Sequence, residues 1–344
     1  MKLRVIIPAL LIVLIVAFSA CKKYNQIDNS GTVKTPYSLF IGGFYGTLHK
    51  TNEGLYFNTL FPTDNSTVRQ IIIADSNILY LKDTLYCSTD DGRSFQYASL
   101  NAIGFINKFY KYYFPNTCVY DPTDRKVYLC VKNGGLEVST DLGKTFALET
   151  AWQDPFPVGK RPTSITRLDN GKLFVMIDSI ELFKKDPGAQ WVRIAADGTN
   201  DLPKDTTTWY VSKSHDTLYA IDYSGKFGVH YSVNDGADWT AVPGVPKKNK
   251  LLFAHEAAHT GNFYLGIDSG GLYRIDGSSG SFTSVGAGFP WFAKVSFVEG
   301  KFIRYRTDVV RHYLFCSTDQ GLYISETNGN DWKKIRDGSY STLR

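Results

Sequence analysis

An eight-residue phrase, Ser-x-Asp-x-Gly-x-x-aromatic, recurs along this chain and constrains its fold more than any other feature. It runs from Ser88 through Asp90 and Gly92 to Phe95, and again from Ser139 through Asp141 and Gly143 to Phe146. It returns between Ser232 and Trp239 with Asn234 in the Asp position. It closes the chain, degraded, from Ser325 through Asn328 and Gly329 to Trp332. Weaker copies centre on Asp186, leading to Trp191, and on Asn52, leading to Phe57. A further copy with an altered turn ends at Phe282. The seven aromatic positions are spaced at roughly 40–50 residues, a period that belongs to repeat architectures.

Each phrase follows a short apolar run and precedes another, so it reads as a hairpin turn. Its Asp accepts bonds from backbone N–H groups, and its Gly supplies a positive φ. Two further strands lie upstream of each turn. They are clearest at 164–168 and 172–177, joined through Asn170-Gly171, a strong hairpin signal. Four strands per repeat, a to d from inside to outside, predict an all-β, seven-bladed β-propeller of four-stranded antiparallel blades. The repeated turn then lies between strands c and d. The first repeat has little sequence left for its own strand a. Residues 339–344 are expected to supply it and close the ring; a six-bladed ring with an irregular N-terminal piece is the alternative.

The residues from Ser88 to Phe95 and their equivalents resemble the Asp-box (BNR) repeats of bacterial sialidases, sortilin-type receptors and photosystem-assembly-factor-like propellers. The resemblance spans most of the chain. It implies a propeller scaffold that hosts hydrolases, receptors and assembly factors alike. It also implies that Asp90, Asp141, Asp186, Asn234 and Asn328 are structural turn residues rather than catalysts. Sialidases of this group carry an arginine triad, a Tyr/Glu pair and an Arg-Ile-Pro motif near the first blade. The nearest string here, Tyr273-Arg274-Ile275-Asp276, lacks the Pro and falls in the sixth repeat, which argues against sialidase activity.

The N-terminus reads as a targeting segment. Lys2 and Arg4 precede an apolar run from Val5 to Phe18, too short to span a bilayer comfortably. The run ends in Ser19-Ala20-Cys21, which resembles a bacterial lipobox. Residues 1–20 are therefore expected to be a lipoprotein signal peptide, Cys21 the lipidated first residue, 21–36 a flexible tether, and 37–344 a single propeller domain. Lys22 rather than Asp after the Cys, by resemblance to diderm lipoproteins, implies an outer-membrane anchor. The formal charge of +5 is spread over the chain. Without a basic groove interleaved with aromatics, nucleic acid is not an expected partner. Cys87, Cys118, Cys130 and Cys316 each lie in a strand-like run. Cys118 and Cys130 flank a hairpin signal and could pair across it, or all four could be buried thiols.

His255-Glu256-Ala257-Ala258-His259 matches H-E-x-x-H, a zinc motif only on a helix, where four residues rise about 6 Å. Here it falls on an inner strand, which would separate the two His by about 13 Å. No metal and no cofactor is expected. Inner-strand polar residues line the channel of a propeller, so Arg69, Arg167, Tyr210, His255, Glu256 and Glu299 are channel candidates, with Arg167 and His255 possible ligand contacts. Glu256, Asp222 and Asp268 are the carboxylates available to a glycoside hydrolase; Asp178 is a further acid. Three d-to-a links are rich in aromatics and emerge on the face opposite the repeated turns. They contribute Phe109, Tyr110, Tyr112, Tyr113, Trp152 and Trp291 as candidate ligand contacts, since aromatics stack on sugars and anchor protein interfaces. The expected function is binding or assembly at the cell envelope, with a protein or glycan on this loop face. The alternative is a glycoside hydrolase with acids in the central channel.

Overall fold

The computed structural model describes residues 38–52, 56–61, 66–100, 116–131, 135–153, 156, 160–178, 181–194, 201–203, 209–246, 250–257, 261–268, 271–276, 280, 282–304 and 310–344. Cys21, the segments 1–20 and 22–36, His259 and the aromatics Phe109, Tyr110, Tyr112 and Tyr113 lie outside the described residues.

Seven four-stranded antiparallel sheets form a ring, as the repeat period predicts. The inner strands of blades 2 to 7 are Gln70–Ala74, Cys118–Asp121, Pro162–Arg167, Trp209–Ser214, Leu251–Glu256 and Val295–Arg304. Blade 1 takes its inner strand from the other end of the chain. Tyr340–Leu343 pairs antiparallel with Ser38–Gly43, Ile41 opposite Leu343. This settles the ring at seven blades, closed by the C-terminal strand. Backbone bonds Phe40 N–H to Arg344 O (2.7 Å) and Arg344 N–H to Phe40 O (2.9 Å) continue the ladder.

The second strand of each blade is buried on both faces, because another blade packs on either side. Leu173–Ile177 and Asn77–Leu81 are buried at every position. This is why these strands read as continuous apolar runs rather than an alternating pattern. The core is divided into seven clusters, one in each gap between adjacent blades. Phe40 and Leu48 of blade 1 meet Val68, Ile71 and Tyr80 at the start of blade 2. At the closing gap, Tyr313 and Phe315 of blade 7 meet Leu39, Ile41 and Leu343 of blade 1.

The repeated turn is a joint between blades as well as a hairpin. In blade 2 Ser88 Oγ accepts the Gly92 N–H and donates to Asp90 Oδ1, both at 2.8 Å. Asp90 in turn accepts the N–H of Ser94 (2.8 Å) and its hydroxyl (2.7 Å). Blade 3 repeats the set through Ser139, Asp141, Gly143 and Thr145. Asn234 does the same for the Asp238 N–H in blade 5 (3.0 Å). The residue before the Gly has positive φ in Asp91, Leu142, Asp235 and Asn328. The Gly itself faces the preceding blade. A Cβ on Gly143 would lie 2.4 Å from Leu79 Cδ2, and one on Gly236 would lie 2.5 Å from Leu182 Cδ2. Cations on the third strands fasten the same joints. Lys50 reaches Asp91, Lys184 reaches Asp235 (3.1 Å), and Arg274 reaches the Asn328 carbonyl.

Two expectations about these turns are corrected. In the last copy the capping oxygen is Thr327 Oγ1, which accepts the Asp331 N–H at 2.9 Å. Asn328 instead occupies the positive-φ position, at 51°. Asp186 has no Ser partner, since Lys184 stands there, and its Oδ1 is buried without a hydrogen bond. The neighbouring Gly188 has nothing within 4 Å of its missing Cβ, so this copy makes the turn without the joint. The pairing of Cys118 with Cys130 is also corrected. Cys118 lies opposite Leu129, so its neighbour Cys130 points to the other side of the blade. Cys118 enters the core between blades 2 and 3, and Cys130 the core between blades 3 and 4. All four described cysteines are free and buried, and burial raises their thiol pKa values.

Candidate functional site

The inner strands surround a central channel of about 340 Å³ to which all seven blades contribute. Its polar lining includes Gln70, Arg167, Lys213, His255, Glu256 and Arg344. Most of these groups spend their hydrogen bonds between blades. Gln70 Oε1 accepts the N–H of Thr117 and of Cys118, each at 3.1 Å. Arg167 Nε donates to buried Asp121 at 2.8 Å, and its terminal nitrogen donates to Thr123 Oγ1 at 3.0 Å. Lys213 is paired with Asp169. Arg167 is thus a strut between blades 3 and 4 that borders the channel.

Of the H-E-x-x-H string, His255 and Glu256 hold the last two positions of the inner strand of blade 6, and His259 lies outside the described residues. Glu256 accepts the His215 N–H at 2.8 Å, and His215 Nδ1 lies 3.0 Å from its other oxygen. His255 lies against Phe297, ring centroids 4.6 Å apart. Its Nε2 has no hydrogen-bond partner; Glu299 stands 3.9 Å away, beyond bonding distance. Burial lowers the His255 pKa to about 4, so the ring is neutral at neutral pH. Glu299 is 1 % exposed and is held by the Gly300 N–H (3.0 Å) and by Arg344 (3.4 Å). Burial pushes its carboxyl up, but Arg344 and the other positive charge around it pull further, leaving it below the ordinary carboxylate range. Among the described residues no three His, Cys, Asp or Glu side chains are grouped as a metal site.

Two other channel candidates point elsewhere. Tyr210 is fully buried in the core between blades 5 and 6, its hydroxyl donating to the Leu251 carbonyl at 3.4 Å. Arg69 turns outward to Asp83 at 3.1 Å.

The carboxylates considered for hydrolysis are each bonded into a turn, a staple or a blade junction. Asp222 is fully buried and caps its own turn, accepting the N–H of Ser224 and of Phe227, both at 2.9 Å. Asp268 accepts the Lys250 N–H at 3.0 Å. Asp178 with Arg161 (3.1 Å) and Asp319 with Lys294 (2.9 Å) form the same staple in blades 4 and 7. Each staple ties the end of a second strand to the start of its inner strand, on the loop face. Glu256 lies at the opposite end of the channel. A glycosidase needs its two carboxyls across one cleft, about 5–10 Å apart. Glu256 is separated from Asp222 and Asp268 by the length of the inner strands, and on the loop face Asp222 is fully buried and bonded within its own turn.

On the loop face the aromatic links differ among themselves. Trp291 is 85 % exposed and makes an edge-to-face pair with Phe292, itself 48 % exposed. Trp152 instead enters the gap between blades 3 and 4. It stacks on Trp191 with centroids 5.4 Å apart, and its indole N–H donates to the Glu149 carbonyl at 2.8 Å. Phe289 fills the corresponding gap between blades 6 and 7 against Trp332. Sequence reasoning missed His215, whose partner Glu256 is 41 residues away. The only local sign was His215-Asp216 as the two-residue turn of a hairpin, with His215 at φ 51°.

No protein-family model matches this chain, and no curated protein sequence matches it. Solved structures do. The chain is similar to YCF48 from Cyanidioschyzon merolae, at 15 % identity over 79 % of this chain and 87 % of that one, with a TM-score of 0.52. It is similar to YCF48 bound to D1 peptide, at 11 % identity over 87 % and 94 % of the two chains, with a TM-score of 0.53. It also resembles the extracellular domain of a hybrid two-component system from B. thetaiotaomicron, at 16 % identity and a TM-score of 0.55, covering 79 % of this chain and 35 % of that one. At these identities the likeness shows the fold, a seven-bladed propeller.

Proposed function

We propose that this chain is an exported, lipid-anchored propeller of the Asp-box type that binds a protein or glycan ligand at the cell envelope without transforming it. The observation that carries the reading is the commitment of its acids. Asp222 and Asp268 are bound into turns on the loop face and Glu256 into a blade junction on the other, while the loop face presents Trp291 to solvent. Exposed indole rings anchor interfaces and stack on sugars. The Ser–Asp–Gly bonding of the repeated turns supports the Asp-box assignment. The YCF48 structure with D1 peptide supports peptide recognition by a propeller of this fold, and a peptide or protein is the ligand class we favour. The lipobox-like Ser19-Ala20-Cys21 supports the anchor.

The test is a binding screen of purified residues 22–344 on peptide and glycan arrays, with mass spectrometry of every bound species. Saturable binding with the ligand recovered intact is expected. Release of shortened glycan that Glu256→Gln abolishes would replace this reading with the hydrolase. Mass spectrometry of the protein from cells tests the anchor separately: a diacylglyceryl-modified Cys21 is expected, and a Cys21→Ser variant should appear in the soluble fraction.

A further inference from the structure

One blade departs from the others at its inner hairpin. The inner strands of blades 2 to 6 are four to six residues long, but that of blade 7, Val295–Arg304, has 10 residues and pairs with the nine of Val310–Thr318. The added pairs run from Lys301 opposite Tyr313 to Arg304 opposite Val310. They extend the hairpin past the end of the ring on the face that carries the repeated turns. One side of the extension is accounted for: Ile303 and Tyr313 pack with Leu39, Ile41 and Leu343 of blade 1. The other side is half exposed. It shows Phe302 at 51 % and Val310 at 49 % exposure, with His312 against the Phe302 ring. Cations flank it: Arg311 and Arg344 have side chains 35 % and 43 % exposed.

The same face is where the chain enters the propeller. The first strand starts at Ser38, and the Phe40–Arg344 bonds place that start beside the last residue of the inner strand, at the turn end of blade 1. Ile303 of the hairpin shares a core cluster with the next residue along, Leu39. We infer that this face lies against the bilayer, with Phe302 and Val310 at the boundary between headgroups and acyl chains. The inference rests on the lipid-anchor reading of Cys21. Read as a tether, the 16 residues 21–36 have a coil span of about 20–24 Å, which keeps their point of entry close to the membrane. Exposed apolar side chains on a hairpin that stands beyond the ring suit that interface. The loop face, with Trp291, is then turned away from the bilayer and toward ligands.

The experiment places an environment-sensitive NBD label at Phe302→Cys or at Trp291→Cys, both exposed positions; the native thiols in the described region are buried. A hexahistidine tag replacing residues 1–21 captures the chain on phosphatidylethanolamine–phosphatidylglycerol vesicles containing a nickel-chelating lipid. Label at 302 should shift to the blue and lose emission when nitroxide-bearing lipids are included, while label at 291 stays as in solution. Unchanged emission at 302, or quenching at 291, overturns the inference. The tag supplies the attachment, so the result does not depend on acylation in cells. An unmodified Cys21 in the cellular protein would end the anchor reading and leave the vesicle result to stand or fall by itself.

Discussion

Gly143 and Gly188 occupy the same position in two copies of the repeated turn, both at positive φ (91° and 73°). They differ in surroundings. A methyl group on Gly143 would overlap Leu79 of the preceding blade, whereas Gly188 has open space. Gly188→Ala should therefore carry only the backbone penalty, about 1 kcal/mol. Gly143→Ala should carry that plus the overlap, about 2–4 kcal/mol in total. Urea denaturation of the two variants reads the difference, and equal losses would show that the joint contributes nothing. The turn acids give a second test. Bonds from the Ser94 hydroxyl, the Ser94 N–H and the Ser88 hydroxyl hold the Asp90 carboxyl down at about 2, against an ordinary 3.8. A depressed folded-state pKa contributes stability above 3.8 that is lost as pH falls through 2. Asp90→Asn should flatten the acid limb of the stability curve between those values. It should lower neutral-pH stability by the part the carboxylate charge supplies while keeping the turn, because Asn234 already caps the same turn in blade 5. These turn roles were legible because the phrase repeats with fixed spacing. Thr327 was misread because the last copy keeps the spacing but replaces the carboxylate with a hydroxyl one residue before Asn328, and the asparagine looked like the nearer substitute.

At the scale of the element, the closing strand is the most exposed to a single change. Leu343 is 1 % exposed, and its neighbours in the core between blades 7 and 1 come from both ends of the chain. Leu343→Ala should cost about 2–5 kcal/mol. Leu148→Ala, on a short outer strand and 47 % exposed, should stay within about 0.5 kcal/mol. Thermal melts that rank the two alike would contradict closure by this strand. Strand type and blade register could be read from the repeats, and closure could be read from the strand missing in the first blade. Which way Cys130 points could not, because it depends on the pairing of Cys118 with Leu129 rather than on spacing along the chain. Nor could the fate of each aromatic link. Trp152 and Trp291 look alike in sequence, and only the place of Trp191 in the next blade makes one a core residue.

The whole molecule is a ring in which charge is used chiefly between blades, and this shapes both its pH response and its function. Burial lowers His49 and His255 to about 4, with Arg336 adding to the effect at His49, and also lowers His230. These rings are neutral when folded and take up protons when unfolded below their ordinary value of 6.5. Their contribution to stability is present above pH 6.5 and falls away as pH drops from there toward 4. NMR titration should show the His255 ring still neutral at pH 5; a midpoint near 6.5 would place it in solvent instead. The channel acids and cations neutralise one another across blade junctions, and for that reason we propose the loop face with Trp291 as the ligand surface. The repeats disclosed that scaffold, but a binding face depends on side chains from links outside the repeat, where sequence spacing carries no information. The most direct test is a titration of the array-identified ligand into the wild type, Trp291→Ala and Glu256→Gln. Trp291→Ala should weaken binding by roughly 30-fold, the effect of an interface anchor worth about 2 kcal/mol. Glu256→Gln should bind as the wild type does and leave the ligand intact. Unchanged affinity in Trp291→Ala, together with ligand turnover lost in Glu256→Gln, would contradict the account.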